Sequence, residues 1–316
     1  MHSEKYVMHC MTCISQQECR SILEHVLHDV LLAARMFWYS LANNRNNRCC
    51  IVKNKVYSNE KVRQQNYKEM EKRSKMDYLL DVHTHTIASG HAYNSMMEMA
   101  KAGFDKGLKL LGITEHAPMM PGTCHAMYFH NLKVVPRTMC GIELMLGAEL
   151  NILDYDGHID LDTRVLKQLD IKIASLHSVC IQPGTKQENT RAVLGAIHNP
   201  FVDIIGHPDD GIYPLEYEPI VEAAKETNTL LEVNNNSLNP MGARKHTREN
   251  LIAMLELCKE YEQPVIMNSD SHVFCDVARR DFSEKLIREI DFPENLIVNR
   301  SVEVFKEYIH RKYEEK

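Results

Sequence analysis

From Tyr78 onward the chain alternates short apolar runs with segments of helical periodicity, and this alternation constrains the fold more than any other feature. The runs are "YLLDVHTH", "LKLLGITEH", "LMLGAELNI", "IKIASLH", "VDIIGHP", "TLLEVNN" and "PVIMNSDSH". Between them, Met96–Lys106, Thr190–His198, Glu218–Asn228 and Thr247–Tyr261 place apolar residues near helical spacing. Strand and helix in regular turn imply a parallel sheet with helices packed outside it. Strands buried on both faces read as continuous apolar runs, as these do. Seven such strands within residues 76–316 predict a distorted (β/α)7 barrel of the TIM type. An open doubly wound sheet is the competing arrangement, but the glycine fingerprint of a dinucleotide fold is absent.

The ends of the runs carry the chemistry. "DVHTH" ends in His83 and His85, which strand period two places on one face with Asp81. "ITEH" ends in Glu115 and His116, "GAEL" carries Glu149, "IASLH" ends in His177, "IIGHP" carries His207, and "NSDSH" ends in Asp270 and His272. His91 follows in the first loop. Only "LLEVNN" departs, ending in Asn234 and Asn235. In a β/α barrel the C-terminal strand ends meet at one mouth, the usual active-site face. A single histidine at a strand end is most often structural. Recurrence at six of seven equivalent ends points instead to a shared positive centre.

Nine candidate ligands exceed what one four- or five-coordinate ion needs, so two or three ions are expected, with a shared carboxylate. Imidazole with carboxylate suits zinc, manganese or iron and disfavours calcium. Closely spaced cations lower the pKa of bound water and neutralise phosphoryl oxygens, so hydrolysis by a metal-activated hydroxide is the chemistry such a centre does well. Glu149 and Asp270 are the two carboxylates of the set and the candidate catalytic groups.

The motif set "DVHTHT", "ITEH", "GAELN", "ASLH", "GHP" and "SDSH" resembles the polymerase and histidinol phosphatase (PHP) superfamily, closest to its stand-alone YcdX-type phosphatases. The likeness covers about residues 77–310. It implies a distorted barrel of seven strands and a trinuclear site, usually described with zinc, that hydrolyses phosphate esters. The family's metal positions fall on His83, His85, His91, His116, Glu149, His177, His207, Asp270 and His272. Glu115 departs from the pattern, because many relatives have Asp before that histidine. A small phosphomonoester is the expected substrate. Histidinol phosphate is an alternative; nuclease chemistry and a closed, non-catalytic metal store rank lower.

Arg137, after the second strand, is a candidate phosphate clamp, because guanidinium pairs bidentately with phosphate oxygens. Residues 121–136 are long for a β/α loop and read as a wall or lid holding His125, Tyr128, Phe129 and His130. Either histidine could protonate a leaving group. Arg244, Lys245 and His246 form a second, weaker candidate anion site.

The first quarter of the chain is of a different kind. Residues 1–75 carry 13 basic and 7 acidic side chains, whereas residues 76–316 carry 24 and 36. The acidic balance of the second part disfavours nucleic acid as a partner. Residues 1–75 read as a dispensable extension, with Val26–Ala42 as an apolar helix that alternatively packs against the barrel. Cys10, Cys13 and Cys19 lack a second pair at zinc-ribbon spacing. The five later cysteines are scattered, which suits free thiols in a reducing compartment. No segment reads as membrane-spanning, and a cytoplasmic protein is expected.

Overall fold

The computed structural model describes residues 78–314; the reading of residues 1–75 lies outside the described residues. The strands are β1 (Leu80–Asp81), β2 (Leu110–His116), β3 (Thr138–Met139), β4 (Ile142–Asn151), β5 (Ile171–Ser175), β6 (Ile204–Ile205), β7 (Leu230–Asn234) and β8 (Val265–Asn268). Seven of them run parallel in the order β1-β2-β4-β5-β6-β7-β8. The eighth, β3, is a two-residue antiparallel strand on β4 that the apolar pattern does not show. The main helices are α1 (Met96–Asp105), α2 (Ala126–Asn131), α3 (Thr163–Leu166), α4 (Lys186–His198), α5 (Tyr217–Glu226), α6 (Thr247–Glu260), α7 (Asp281–Glu289) and α8 (Val302–Glu314). Among the described residues no helix is long and apolar enough to cross a membrane.

Period two along the strands separates two cores. Leu111, Ile113, Leu144, Leu146, Leu231 and Val233 face outward and pack with the helices. Leu80, Leu110, Met145, Ile171, Ile173, Ile204, Leu230 and Ile266 face inward and form the floor of the barrel. Val298, Val302, Phe305, Tyr308 and Ile309 join this inner cluster, so the C-terminal helix stoppers the barrel at its base. Phe305 is fully buried there, worth about 1.5–3 kcal/mol for a side chain of this size. Strand β4 is positioned by a glycine: a Cβ on Gly147 would lie 1.9 Å from the Ile171 carbonyl oxygen. That close approach brings Glu149, two residues on, against β5.

The strand path closes into a barrel through a seam of side chains. At the mouth, Thr84 pairs with Ser271 as a single parallel bridge, and His85 N donates to Ser271 O at 2.9 Å. Lower down, the buried Asn299 side chain stands where ladder bonds would be. Its Nδ2 donates to Leu80 O at 3.1 Å and Met267 O at 2.6 Å, and its Oδ1 accepts from Met267 N at 2.7 Å. Asn299→Ala strands buried peptide groups on both β1 and β8. It is expected to cost about 3 kcal/mol and to lower the melting temperature by about 10 °C. A thermal melt shifted by no more than experimental scatter would show that the seam carries no stability.

Candidate metal centre

All nine residues at the strand ends and first loop come together at the mouth. Glu149, at 0% exposure, is the hub. Its Oε1 lies 2.9 Å from His207 Nε2, 3.2 Å from His177 Nε2 and 3.4 Å from His83 Nε2. Its Oε2 lies 2.6 Å from His116 Nδ1 and 3.5 Å from His85 Nε2. Asp270 Oδ1 faces the same imidazoles, 3.4 Å from His85 Nε2 and 3.7 Å from His83 Nε2. His91 Nε2 stands 3.2 Å from His116 Nε2, and the His272 ring packs 4.4 Å from that of His85.

Hydrogen bonds behind the histidines decide which nitrogen points inward. His83 Nδ1 lies 2.7 Å from Glu232 Oε1. A carboxylate only accepts, so Nδ1 carries the proton and Nε2 presents a lone pair. His85 Nδ1 lies 3.2 Å from Ser89 Oγ, whose own proton goes to Glu115 Oε2 at 2.6 Å. Ser89 therefore accepts from His85. His177 Nδ1 donates to Asn151 Oδ1 at 2.8 Å, the Asn151 amide being oriented by Asp160. His272 Nδ1 donates to the Asp270 carbonyl at 3.1 Å. Four Nε2 atoms are thus aimed at the centre by fixed partners, the arrangement that orients metal-binding imidazoles. Backbone geometry aims two more ligands: His207 (φ 28°) and Asp270 (φ 53°) occupy the left-handed region, at a cost of about 1–3 kcal/mol each.

The residues fit a metal. His83 Nε2, His85 Nε2, His116 Nδ1 and Glu149 Oε2 are buried without a well-directed hydrogen bond. Burying such donors unsatisfied is costly unless a cation joins them. Three donor triads, each within 4.8 Å, overlap in the centre: His85–His116–His272, His83–His85–Glu149 and His116–Glu149–His177. Electrostatics agree with the donor set. Burial alone would push the Glu149 carboxyl up, but the imidazoles of His116, His83 and His177 hold it well below the usual range. Burial, with the His116 and His272 rings beside it, holds His85 far below the ordinary imidazole value, so it is neutral and able to ligate.

Several readings of the sequence change at this point. Arg137 is not brought to the centre. Its Nε pairs with Asp170 Oδ2 at 2.7 Å and its Nη1 donates to Leu132 O and Val135 O. Asp170 immediately precedes β5, at the opposite end of that strand from His177, so the guanidinium braces the side of the barrel and cannot clamp a phosphate at the mouth. The arginine bonded to a candidate ligand is Arg244, whose Nη1 and Nη2 both donate to Asp270 Oδ2 at 3.1 Å. Asp81, expected on one face with His83 and His85, does not join them at the centre: its carboxylate accepts from Ser269 N, Ser269 Oγ and Ala278 N. The β1–β2 ladder ends at Asp81, so the alternation that His83 and His85 keep does not carry back to Asp81. His125 is an N-cap, its Nδ1 accepting from Met127 N at 3.2 Å. Phe129 anchors the 121–136 wall in the core, and Tyr128 OH donates to Glu115 at 3.3 Å.

Glu232 is the functional residue that the sequence reading missed. It accepts from His83 Nδ1, Asn268 Nδ2, Asn234 Nδ2 and the His207 amide at 2.7–2.9 Å. The signal was its place on the inward face of "LLEVN", two residues from Leu230, where a buried acid needs partners. Glu232→Gln is expected to weaken zinc binding about 10- to 100-fold, measured by competition with a chromophoric chelator. Unchanged affinity would reduce Glu232 to a packing role.

The architecture and the mouth define a class: a parallel β/α barrel whose strand ends gather seven imidazoles and two carboxylates. Residues 81–239 match the PHP domain. The chain belongs to the PHP domain family. A "Probable phosphatase" of Caldicellulosiruptor saccharolyticus is 49% identical over 230 residues, covering 73% of this chain and 95% of that protein. A probable phosphatase of Clostridium novyi is 45% identical over 237 residues, covering 75% and 96%. Among solved structures, histidinol phosphate phosphatase from Lactococcus lactis, complexed with zinc, L-histidinol and phosphate, is similar with a TM-score of 0.47 and 17% identity, covering 68% of this chain and 95% of that one.

Proposed function

We propose that this chain is a phosphatase that hydrolyses small phosphomonoesters at a multinuclear metal centre held by His83, His85, His91, His116, Glu149, His177, His207, Asp270 and His272. The observation that carries the reading is the set of buried, unsatisfied donor atoms converging on Glu149. The overlap of the three triads at His85, His116 and Glu149 favours more than one ion. Nitrogen and carboxylate donors without thiolate suit zinc, with manganese as a workable substitute. Bound there, the ions would supply Lewis-acid chemistry, neutralising phosphoryl oxygens and lowering the pKa of water.

The chain's own residues do the rest. Glu149 brings the anionic charge that lets five imidazoles face one point. Arg244 holds Oδ2 of Asp270 and so keeps Oδ1 turned to His83 and His85. Exposure grades across the site: the side chains of His83, His85 and Glu149 are at 0%, that of His272 is at 24%, and His91 is exposed. Substrate therefore enters from the side that His91 and His272 border, their rings 4.9 Å apart. The decisive experiment loads the purified protein with zinc or manganese and measures phosphate release from a panel of monoesters. Metal-loaded protein that releases no phosphate from any of them would end the proposal.

We also propose that residues 1–75 are not needed for this activity. The two relatives are covered over 95% and 96% of their length by 230 and 237 residues, about the length that follows Met76. All nine candidate ligands lie after Met76, and Val298–Ile309 already stopper the base. A shortened chain beginning at Met76 is expected to load metal and turn over substrate at the full-length rate. Aggregation or failure to take up metal would assign the extension a structural part.

A further inference from the structure

Beside the metal centre lies a polar pocket of about 120 Å3. Asn236, Asn239, Ser269, Asp276, Arg279 and Phe282 line it, and it opens against Asp270 and His272. Resting on the phosphatase reading above, we propose that this pocket receives the alcohol part of the substrate, and that this part is a short neutral polyol. Position is the first argument. His272 is the more exposed of the two ligands and borders the pocket, so a phosphoryl group entering on that side leaves its ester oxygen directed along the pocket.

The lining selects the chemistry. Arg279 is offset by acids on both sides, its Nε 3.0 Å from Asp281 Oδ1 and its Nη1 3.5 Å from Asp276 Oδ1. The guanidinium also lies over the Phe282 ring, 5.0 Å from its centroid. Two carboxylates share this one guanidinium, so a second phosphate finds no unpaired cation, and each carboxylate is already in an ion pair when an ammonium group approaches. Asn235 is spent on the fold, its Oδ1 accepting from the Phe282 and Ser283 amides at 3.0 and 3.1 Å. Asn239 Oδ1 accepts from Met241 N at 3.0 Å, which turns its Nδ2 away from the backbone. The Asn236 amide is exposed. Amides together with an Asp–Arg pair offer donors and acceptors in alternation, the pattern that vicinal hydroxyls satisfy because each is both donor and acceptor. Phe282 is the one large apolar group in the lining, too little apolar surface to favour a hydrophobic alcohol.

The test pairs binding with turnover on the zinc-loaded full chain. By calorimetry, 3,4-dihydroxybutylphosphonate, which cannot be hydrolysed, should bind at least about tenfold tighter than methylphosphonate. Asn236→Ala and Arg279→Ala should each erode that preference by about fivefold. In turnover, glycerol 1-phosphate should exceed phosphoethanolamine in kcat/KM, and both variants should lower the ratio of glycerol 1-phosphate to 4-nitrophenyl phosphate. Asn236 is exposed, so its variant keeps the test valid if Arg279→Ala misfolds. Equal binding of the two phosphonates, or a preference for phosphoethanolamine, overturns the polyol assignment while 4-nitrophenyl phosphate hydrolysis still upholds the phosphatase reading. Absence of hydrolysis of every ester overturns both.

Discussion

Glu149→Gln is expected to reduce phosphate-ester turnover by about a hundred- to a thousandfold, the scale seen when a preorganised electrostatic group is removed. The substitution keeps the shape of the side chain and removes its charge. Five histidine nitrogens lie within 3.5 Å of its two oxygens, so no other single change takes as much from the centre. The amide also replaces one acceptor oxygen by a donor, which turns an N–H toward lone pairs meant for cations. Bound metal should fall with activity, because the carboxylate is common to two of the three donor triads. The fold should persist, since the inner floor and outer helices do not depend on this side chain. Elemental analysis and circular dichroism of the variant provide the check. A Glu149→Gln protein with full metal content and wild-type turnover would remove Glu149 from the mechanism.

Stripping the metal should have the second largest effect. Dialysis against a strong chelator is expected to abolish hydrolysis and to lower the melting temperature. With free zinc at about a thousand times Kd, one site stabilises the folded state by about 4 kcal/mol, or about 10 °C for a domain of this size. Added zinc should restore both, with more than one ion per chain at saturation. The physical cause is the set of buried, unsatisfied atoms: without cations, His83 Nε2, His85 Nε2, His116 Nδ1 and Glu149 Oε2 have no well-directed partner to offset their desolvation. Identical melting curves for stripped and zinc-loaded protein would mean that these side chains hold no ion.

The two experiments separate roles that a static site joins. Glu149→Gln tests the shared anion, whereas chelation tests the cations it would balance. Arg244 lies between these cases. Its two bonds to Asp270 Oδ2 fix which carboxylate oxygen faces the imidazoles, so its removal should alter how Asp270 is presented without deleting a donor.

Much of this centre was legible in the sequence, because its logic is local. A parallel barrel delivers the C-terminal end of every strand to one face, so a ligand written at the end of an apolar run is placed as soon as the run is recognised as a strand. His116, Glu149, His177 and His207 follow from that rule, and His83, His85, Asp270 and His272 lie within a few residues of it. What the sequence left open depends on partners far away in the chain. Arg137 and Arg244 are equal as guanidinium groups; packing alone gives Asp170 to one and Asp270 to the other. Glu232 looked like part of a buried strand until four donors at or just past the ends of β1, β6, β7 and β8 met it. Asn299 closes a seam between strands more than 180 residues apart, which no periodicity announces. Strand period and strand-end placement are properties of the backbone, so the sequence determined which residues share the mouth. Hydrogen-bond partners and ion pairs are properties of proximity in three dimensions, so only the tertiary structure decided how those residues are aimed, which arginine serves them and what holds the barrel shut.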